Sequence, residues 1–157
     1  MRYFSFGGVN RTTGIGLVEV YDRQQGSDST MANISSRGFV ETGDNVMIGG
    51  FIAGGPEGPT RVVVRGIGPS LASKGVPNAM QDPSIELRNA NGNVVRSNDN
   101  WREAPNRDDI QARGLAPEDD RESALLQTLP PGNYTAILRG RGDTPTGVGL
   151  VEIYNVP

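Results

Sequence analysis

Ser84-Ile85-Glu86-Leu87-Arg88 alternates apolar and polar residues, Asn91-Gly92 follows, and Asn93-Val94-Val95-Arg96-Ser97 resumes. Strict alternation places every second side chain on one face, as a half-buried strand requires. Asn-Gly between two such runs is a strong hairpin signal, because tight hairpin turns need positive φ at their central residues. This stretch reads as two antiparallel strands, and the rest of the chain is read outward from it.

The same punctuation recurs along the chain. Gly, Asn, Asp and Pro bound further short runs: Tyr3–Phe6, Gly14–Tyr21, Ala32–Val40, Asn45–Ala53, Arg61–Arg65, Ser123–Leu129, Tyr134–Arg139 and Gly147–Tyr154. The 157 residues include 22 Gly, about twice the usual share of about 7%, and 11 Pro. Val62-Val63-Val64 reads as a strand buried on both faces. Gly49-Gly50 inside an apolar run predicts a bulge or a close approach of two sheets. Pro130-Pro131-Gly132-Asn133 reads as a turn, and Asn98 to Glu122 as an irregular stretch with one helical turn near Asp108–Arg113. Many short strands with regular turns predict an all-β fold, an antiparallel β-sandwich of jelly-roll-like form.

An internal repeat sets the organisation. Thr13-Gly14-Ile15-Gly16-Leu17-Val18-Glu19-Val20-Tyr21-Asp22 returns as Thr146-Gly147-Val148-Gly149-Leu150-Val151-Glu152-Ile153-Tyr154-Asn155. The copies differ only by Ile15/Val148, Val20/Ile153 and Asp22/Asn155. The expectation is an extra N-terminal hairpin at 1–22, repeated from the end of an upstream-type module, a linker at 23–28, and a complete module at 29–157. That module is expected to end in its own hairpin. An isolated hairpin is marginal in water, so Tyr3, Phe4, Phe6, Ile15, Leu17, Val18, Val20 and Tyr21 need a partner surface. Candidate partners are copies of the same chain or neighbouring modules, reached by strand addition. A head-to-tail contact of that kind does not close and builds filaments.

Composition narrows the chemistry. With no Cys and no His, thiolate nucleophiles, disulfides, histidine bases and His-bound metals are excluded. A net charge of -3 gives no footprint for nucleic acid. No apolar run approaches the roughly 18 residues of a membrane span. The N-terminus lacks the pattern of a signal peptide. The reading is a non-catalytic module without an obligate cofactor.

From Asp82 onward, Asp82-Pro83-Ser84-Ile85-Glu86-Leu87, Asn91-Gly92, Ser97-Asn98-Asp99-Asn100, Glu122-Ser123-Ala124-Leu125 and Pro131-Gly132-Asn133-Tyr134-Thr135-Ala136-Ile137-Leu138 follow one another. This half of the chain resembles the bacterial pre-peptidase C-terminal domain, a jelly-roll-like sandwich appended to secreted enzymes and surface proteins. The part before Asp82, with Arg37-Gly38-Phe39-Val40 and Arg65-Gly66-Ile67-Gly68-Pro69-Ser70-Leu71, resembles repeat modules of large bacterial surface proteins. The resemblance implies a secreted accessory or adhesive module, extracellular or at the cell surface, sometimes with calcium.

Four acids supply the hard oxygen ligands that Ca²⁺ takes, Asp82, Asp99, Asp119 and Asp120; the alternative is solvated loop carboxylates. Trp101, the one tryptophan, either stacks on a glycan or pins its loop to the core. Arg65-Gly66-Ile67-Gly68-Pro69-Ser70 lacks the Lys of a phosphate loop and reads as a turn, with Arg65 paired to a carboxylate. Glu19 and Glu152 occupy the same place in the two repeat copies, facing the surface or pairing with arginine. Arg141-Gly142-Asp143 and the acceptor patterns at Asn10, Asn33 and Asn133 read as incidental surface sequences.

Overall fold

A computed structural model of the chain describes residues 33–54 and 58–157. The expected strands Tyr3–Phe6 and Gly14–Tyr21, and the 23–28 linker, lie outside the described residues. Eight strands form in chain order: β1 (Asn33–Val40), β2 (Met47–Ala53), β3 (Thr60–Ile67), β4 (Pro83–Asn89), β5 (Val94–Asn98), β6 (Ser123–Leu129), β7 (Gly132–Gly140) and β8 (Gly147–Asn155). They make two four-stranded sheets, ordered β1-β8-β3-β6 and β2-β7-β4-β5. Every pairing within the sheets is antiparallel. Successive strands alternate between sheets except at β4–β5, which is the strand order of a jelly roll.

The sheets enclose a core of Val40, Val62, Val64, Ile85, Leu87, Leu125, Leu138, Val151, Ile153 and their neighbours. Alternation along β4 and β7 sends Ile85, Leu87, Ala136 and Leu138 inward, where all four are buried. The valine run of β3 is buried throughout, as its composition requires: Val62 and Val64 face the core between the sheets and Val63 faces a second cluster. That second cluster covers the outer face of the first sheet. It is built by a 3-10 turn at Trp101–Glu103 and by helix α2 (Arg107–Ala112), with Trp101, Ile110, Leu126 and Val156 buried together. A smaller cluster joins Ile67, Leu71 and Ala79, where helix α1 (Ser70–Ser73) and the following loop pass over the sheet.

Two expectations are corrected. The module does not end in a hairpin: β7 pairs with β2 and β4, whereas β8 pairs with β1 and β3. The connection at 141–146 therefore crosses between sheets, and each of the last two strands is an inner strand of its own sheet. The Asn91-Gly92 signal does mark the β4–β5 hairpin, but not with a two-residue turn. Asn89 C=O accepts from Gly92 N–H at 2.9 Å, Gly92 has φ 78°, and Asn91 is not among the residues of positive φ. The Asn89 side chain decides the loop by accepting from the N–H groups of both Asn91 and Asn93, as an Asx turn does.

The Gly49 expectation resolves as close sheet approach rather than a bulge. A Cβ there would lie 3.1 Å from Ile153 Cδ1, and the β2–β7 register is unbroken. Gly66 is tighter: a Cβ would lie 2.5 Å from Ser123 Oγ and 2.7 Å from Ile85 Cγ1. At Gly50 nothing lies within 4 Å. Gly66→Ala should therefore cost about 1–3 kcal/mol by overpacking, while Gly50→Ala leaves stability nearly unchanged. Urea midpoints of the two variants check this.

Candidate functional site

The repeated sequence is β8, so the site is the slot that β8 fills between β1 and β3. Each β8 residue has a distinct neighbour there. At Gly147 (φ 153°) a Cβ would meet the backbone of Met80 at 2.7 Å. The strand start is held by Met80 N–H donating to Val148 C=O at 2.9 Å and Val148 N–H donating to Asn78 C=O at 2.7 Å. At Gly149 a Cβ would meet Leu138 Cδ2 at 2.6 Å. Val151 and Ile153 point into the main core. On the other face Leu150 packs on the Ile67 cluster.

Glu152 and Tyr154 complete that outer face. Glu152 is buried, and Arg65 donates to its Oε2 from both Nε and Nη2. Arg65 also donates to Leu115 C=O at 3.1 Å, and its guanidinium lies 5.2 Å from the Tyr154 ring centre. Tyr154 O–H donates to Glu152 Oε1 at 2.8 Å. Two charge-assisted N–H donors converging on one oxygen, with the other oxygen taken by Tyr154, suit a carboxylate held largely out of water. The expected arginine partner for position 152 is thus Arg65, on the neighbouring strand β3. Burial pushes the Tyr154 phenol above its ordinary value, and its hydrogen bond to Glu152 adds to the effect.

Sequence reading missed the role of Glu122. It is fully buried, and its Oε1 accepts from Gly68 N–H at 3.0 Å, Ser70 N–H at 2.9 Å and Ser70 O–H at 2.6 Å. Its Oε2 accepts from Asp119 N–H at 3.3 Å. One carboxylate thereby ties the turn after β3 to the end of the long loop. Its only sequence signal is a Glu immediately before the apolar start of β6.

The expected metal ligands do not converge. Asp99 pairs with Arg141, Asp119 with Arg121 and Asp120 with Arg102. The Arg121 guanidinium holds the Asp119 carboxyl below its usual range, against the opposing effect of burial. Asp82 uses its backbone C=O to accept from Arg141 N–H. Among the described residues no group of three acids could hold a metal ion. Trp101 is 3% exposed, with the Arg102 guanidinium 4.5 Å from its ring centre. Of its two readings the structure gives the anchor: the ring pins the loop and has no open face for a sugar. Arg141-Gly142-Asp143 stands exposed on the crossing between sheets.

Two surface features remain. A cleft of 520 Å³ beside β4 and β5 is lined by Glu86, Asp99 and Glu103 and by Arg96, Arg139 and Arg141, among others. Mixed charge and no aromatic ring characterise its described lining. The outer face of the second sheet carries Ile48, Ile52 and Val94, all exposed. Among the described residues no helix is long and apolar enough to cross a membrane.

No family model, curated protein or solved structure matches the chain. The resemblance to the pre-peptidase C-terminal domain therefore rests on its quoted motifs alone.

Two variants probe this site. Glu122→Gln turns an N–H₂ toward the Asp119 N–H and should cost about 1–3 kcal/mol, the scale of an unmet buried polar group, read from urea unfolding. For Tyr154, a raised value means that the folded state holds its proton more tightly. Its contribution is fully present below about pH 10 and is lost as pH rises through the raised value. The wild-type chain should lose more stability between pH 9 and pH 11 than Tyr154→Phe does, measured by urea midpoints at each pH.

Proposed function

We propose that the protein is a non-catalytic extracellular structural module that joins copies of itself, or neighbouring modules, through residues 1–22. One observation carries the reading: residues 13–22 repeat the sequence of an inner strand. Gly14, Gly16, Leu17, Val18, Glu19 and Tyr21 match Gly147, Gly149, Leu150, Val151, Glu152 and Tyr154. These are the residues whose neighbours in the slot are backbone, core side chains and Arg65. A strand with two apolar faces and a carboxylate that calls for an arginine is suited to lie between other strands, not in water. A chain with two such strands and one described slot has a strand to offer to a neighbour. Strand addition satisfies its backbone groups and the edge it meets together.

Among the described strands, β1 and β2 are outer members of their sheets and face each other at one side of the sandwich. Exposed Phe39, Ile48 and Ile52 lie on these same two strands. That side is the receiving surface in this proposal. Repetition of the contact head to tail gives a filament or a surface array. The reading of a secreted surface location follows from the family resemblance and from this use. The alternative of a glycan-binding accessory module loses the Trp101 platform and keeps only the mixed-charge cleft.

Light scattering with negative-stain microscopy tests the proposal on three chains: the full chain, a chain starting at Ser27, and Val18→Asp. Oligomers or filaments are expected from the full chain alone. Monomers from all three would refute self-association through residues 1–22.

A further inference from the structure

The four outer strands of the sandwich are not alike. β6 ends the first sheet, and side chains of the 98–122 loop occupy its free edge. Asn98 Oδ1 accepts from Ala124 N–H at 2.9 Å, and Asn106 Nδ2 donates to Leu126 C=O at 2.7 Å. β1, at the other end of that sheet, carries exposed Arg37 near its middle. β5 has 5 residues, includes exposed Arg96, and runs beside a register shift at Leu87/Arg88. A plugged edge, a charge and a short strand beside a bulge each discourage the uptake of another strand. β2 has none of these. Met47–Ala53 holds no charged residue and no proline over its 7 residues, and among the described residues β7 is its one strand partner.

The outer face of β2 is also shaped. Ile48 is opposite Ile137, Gly50 opposite Thr135 and Ile52 opposite Asn133, and opposed residues of antiparallel strands share a face. Ile48 is 59% and Ile52 78% exposed. Between them, a Cβ on Gly50 would have no atom within 4 Å. Two aliphatic side chains therefore flank a notch whose floor is bare backbone. A strand laid along β2 would set one side chain opposite Gly50, and its neighbours two residues away opposite Ile48 and Ile52. An aromatic ring suits the glycine, which it can cover. Aliphatic or aromatic residues suit the isoleucines.

We propose that β2 is the edge at which the module receives a strand from a second copy of the chain. The incoming segment is extended, with an aromatic residue set over Gly50 and apolar residues over Ile48 and Ile52. This rests on the reading that copies join by strand addition, and it narrows the receiving side from two strands to one. Backbone groups of β2 not used by β7 bond the incoming strand, which becomes the fifth strand of the second sheet.

The test is the mass in solution, by light scattering, of the full chain as wild type, Ile48→Lys/Ile52→Lys, Gly50→Glu and Phe39→Lys. All four positions are exposed, so melting temperatures should move little, and melting curves check that each chain is folded. Phe39, on β1, is the control for the other outer strand of that side. Multimers are expected from wild type and Phe39→Lys. Monomers of 16.7 kDa are expected from Ile48→Lys/Ile52→Lys and Gly50→Glu. Gly50→Glu decides alone if the double variant does not fold. Assembly that survives the β2 changes, or that is lost equally in Phe39→Lys, overturns the choice of β2 and leaves joining by strand addition in place. A monomeric wild type overturns that joining itself, and the choice of β2 with it.

Discussion

The pair between Arg65 and Glu152 is the constraint around which the first sheet is arranged. Its two members come from adjacent inner strands, and neither is free in water. Removing either would leave a charge under the 98–122 loop, a situation that costs several kcal/mol in general. The pair survives because the outer face of the sheet is roofed rather than bare. Leu115 C=O and Tyr154 O–H take up the remaining hydrogen-bonding capacity. On the strand residues flanking Glu152, Tyr154 packs with the Trp101, Ile110 and Val156 cluster and Leu150 with Ile67, Leu71 and Ala79. Glu122 then fixes the two loops that form this roof by accepting from both.

This asymmetry separates the two sheets by role. The first is covered on both faces over its inner strand β3, whose valines read as a near-continuous apolar run, while its outer strand β1 is polar and largely exposed. The second is covered on one face, and β4 and β7 alternate cleanly. Its outer face keeps Ile48, Ile52 and Val94 in contact with solvent. An inner strand buried on both faces is the costly one to leave without partners. It is this strand, and not a half-exposed one, whose sequence occurs twice.

Legibility in the sequence followed the same division. The alternating β4 and the valines of β3 were readable because period and burial coincide there. The β6 range Ser123–Leu129 was read with its observed ends, since Leu129 is followed by two prolines. The jelly-roll form was legible as many short strands with turns. The partition of strands between sheets was not, because pairing partners far apart in sequence leave no local trace. That is why Tyr134–Arg139 and Gly147–Tyr154 read as a hairpin although they lie in different sheets. Loop chemistry was the least legible part. Asp99, Asp119 and Asp120 look like oxygen ligands by type, yet each faces an arginine, brought from a distant part of the chain for Asp99 and Asp120 and from two residues on for Asp119. Glu122 gave no signal of burial, since nothing in a sequence marks the backbone N–H groups that will surround a carboxylate.

The proposed function depends on residues 1–22 being accepted by another copy of the chain. The most direct measurement is binding of a fluorescent peptide of residues 1–22 to a chain that starts at Ser27, read by fluorescence anisotropy. The prediction is saturable binding that Val18→Asp in the peptide abolishes. An anisotropy that stays at the value of the free peptide at every concentration of the folded shorter chain would contradict it.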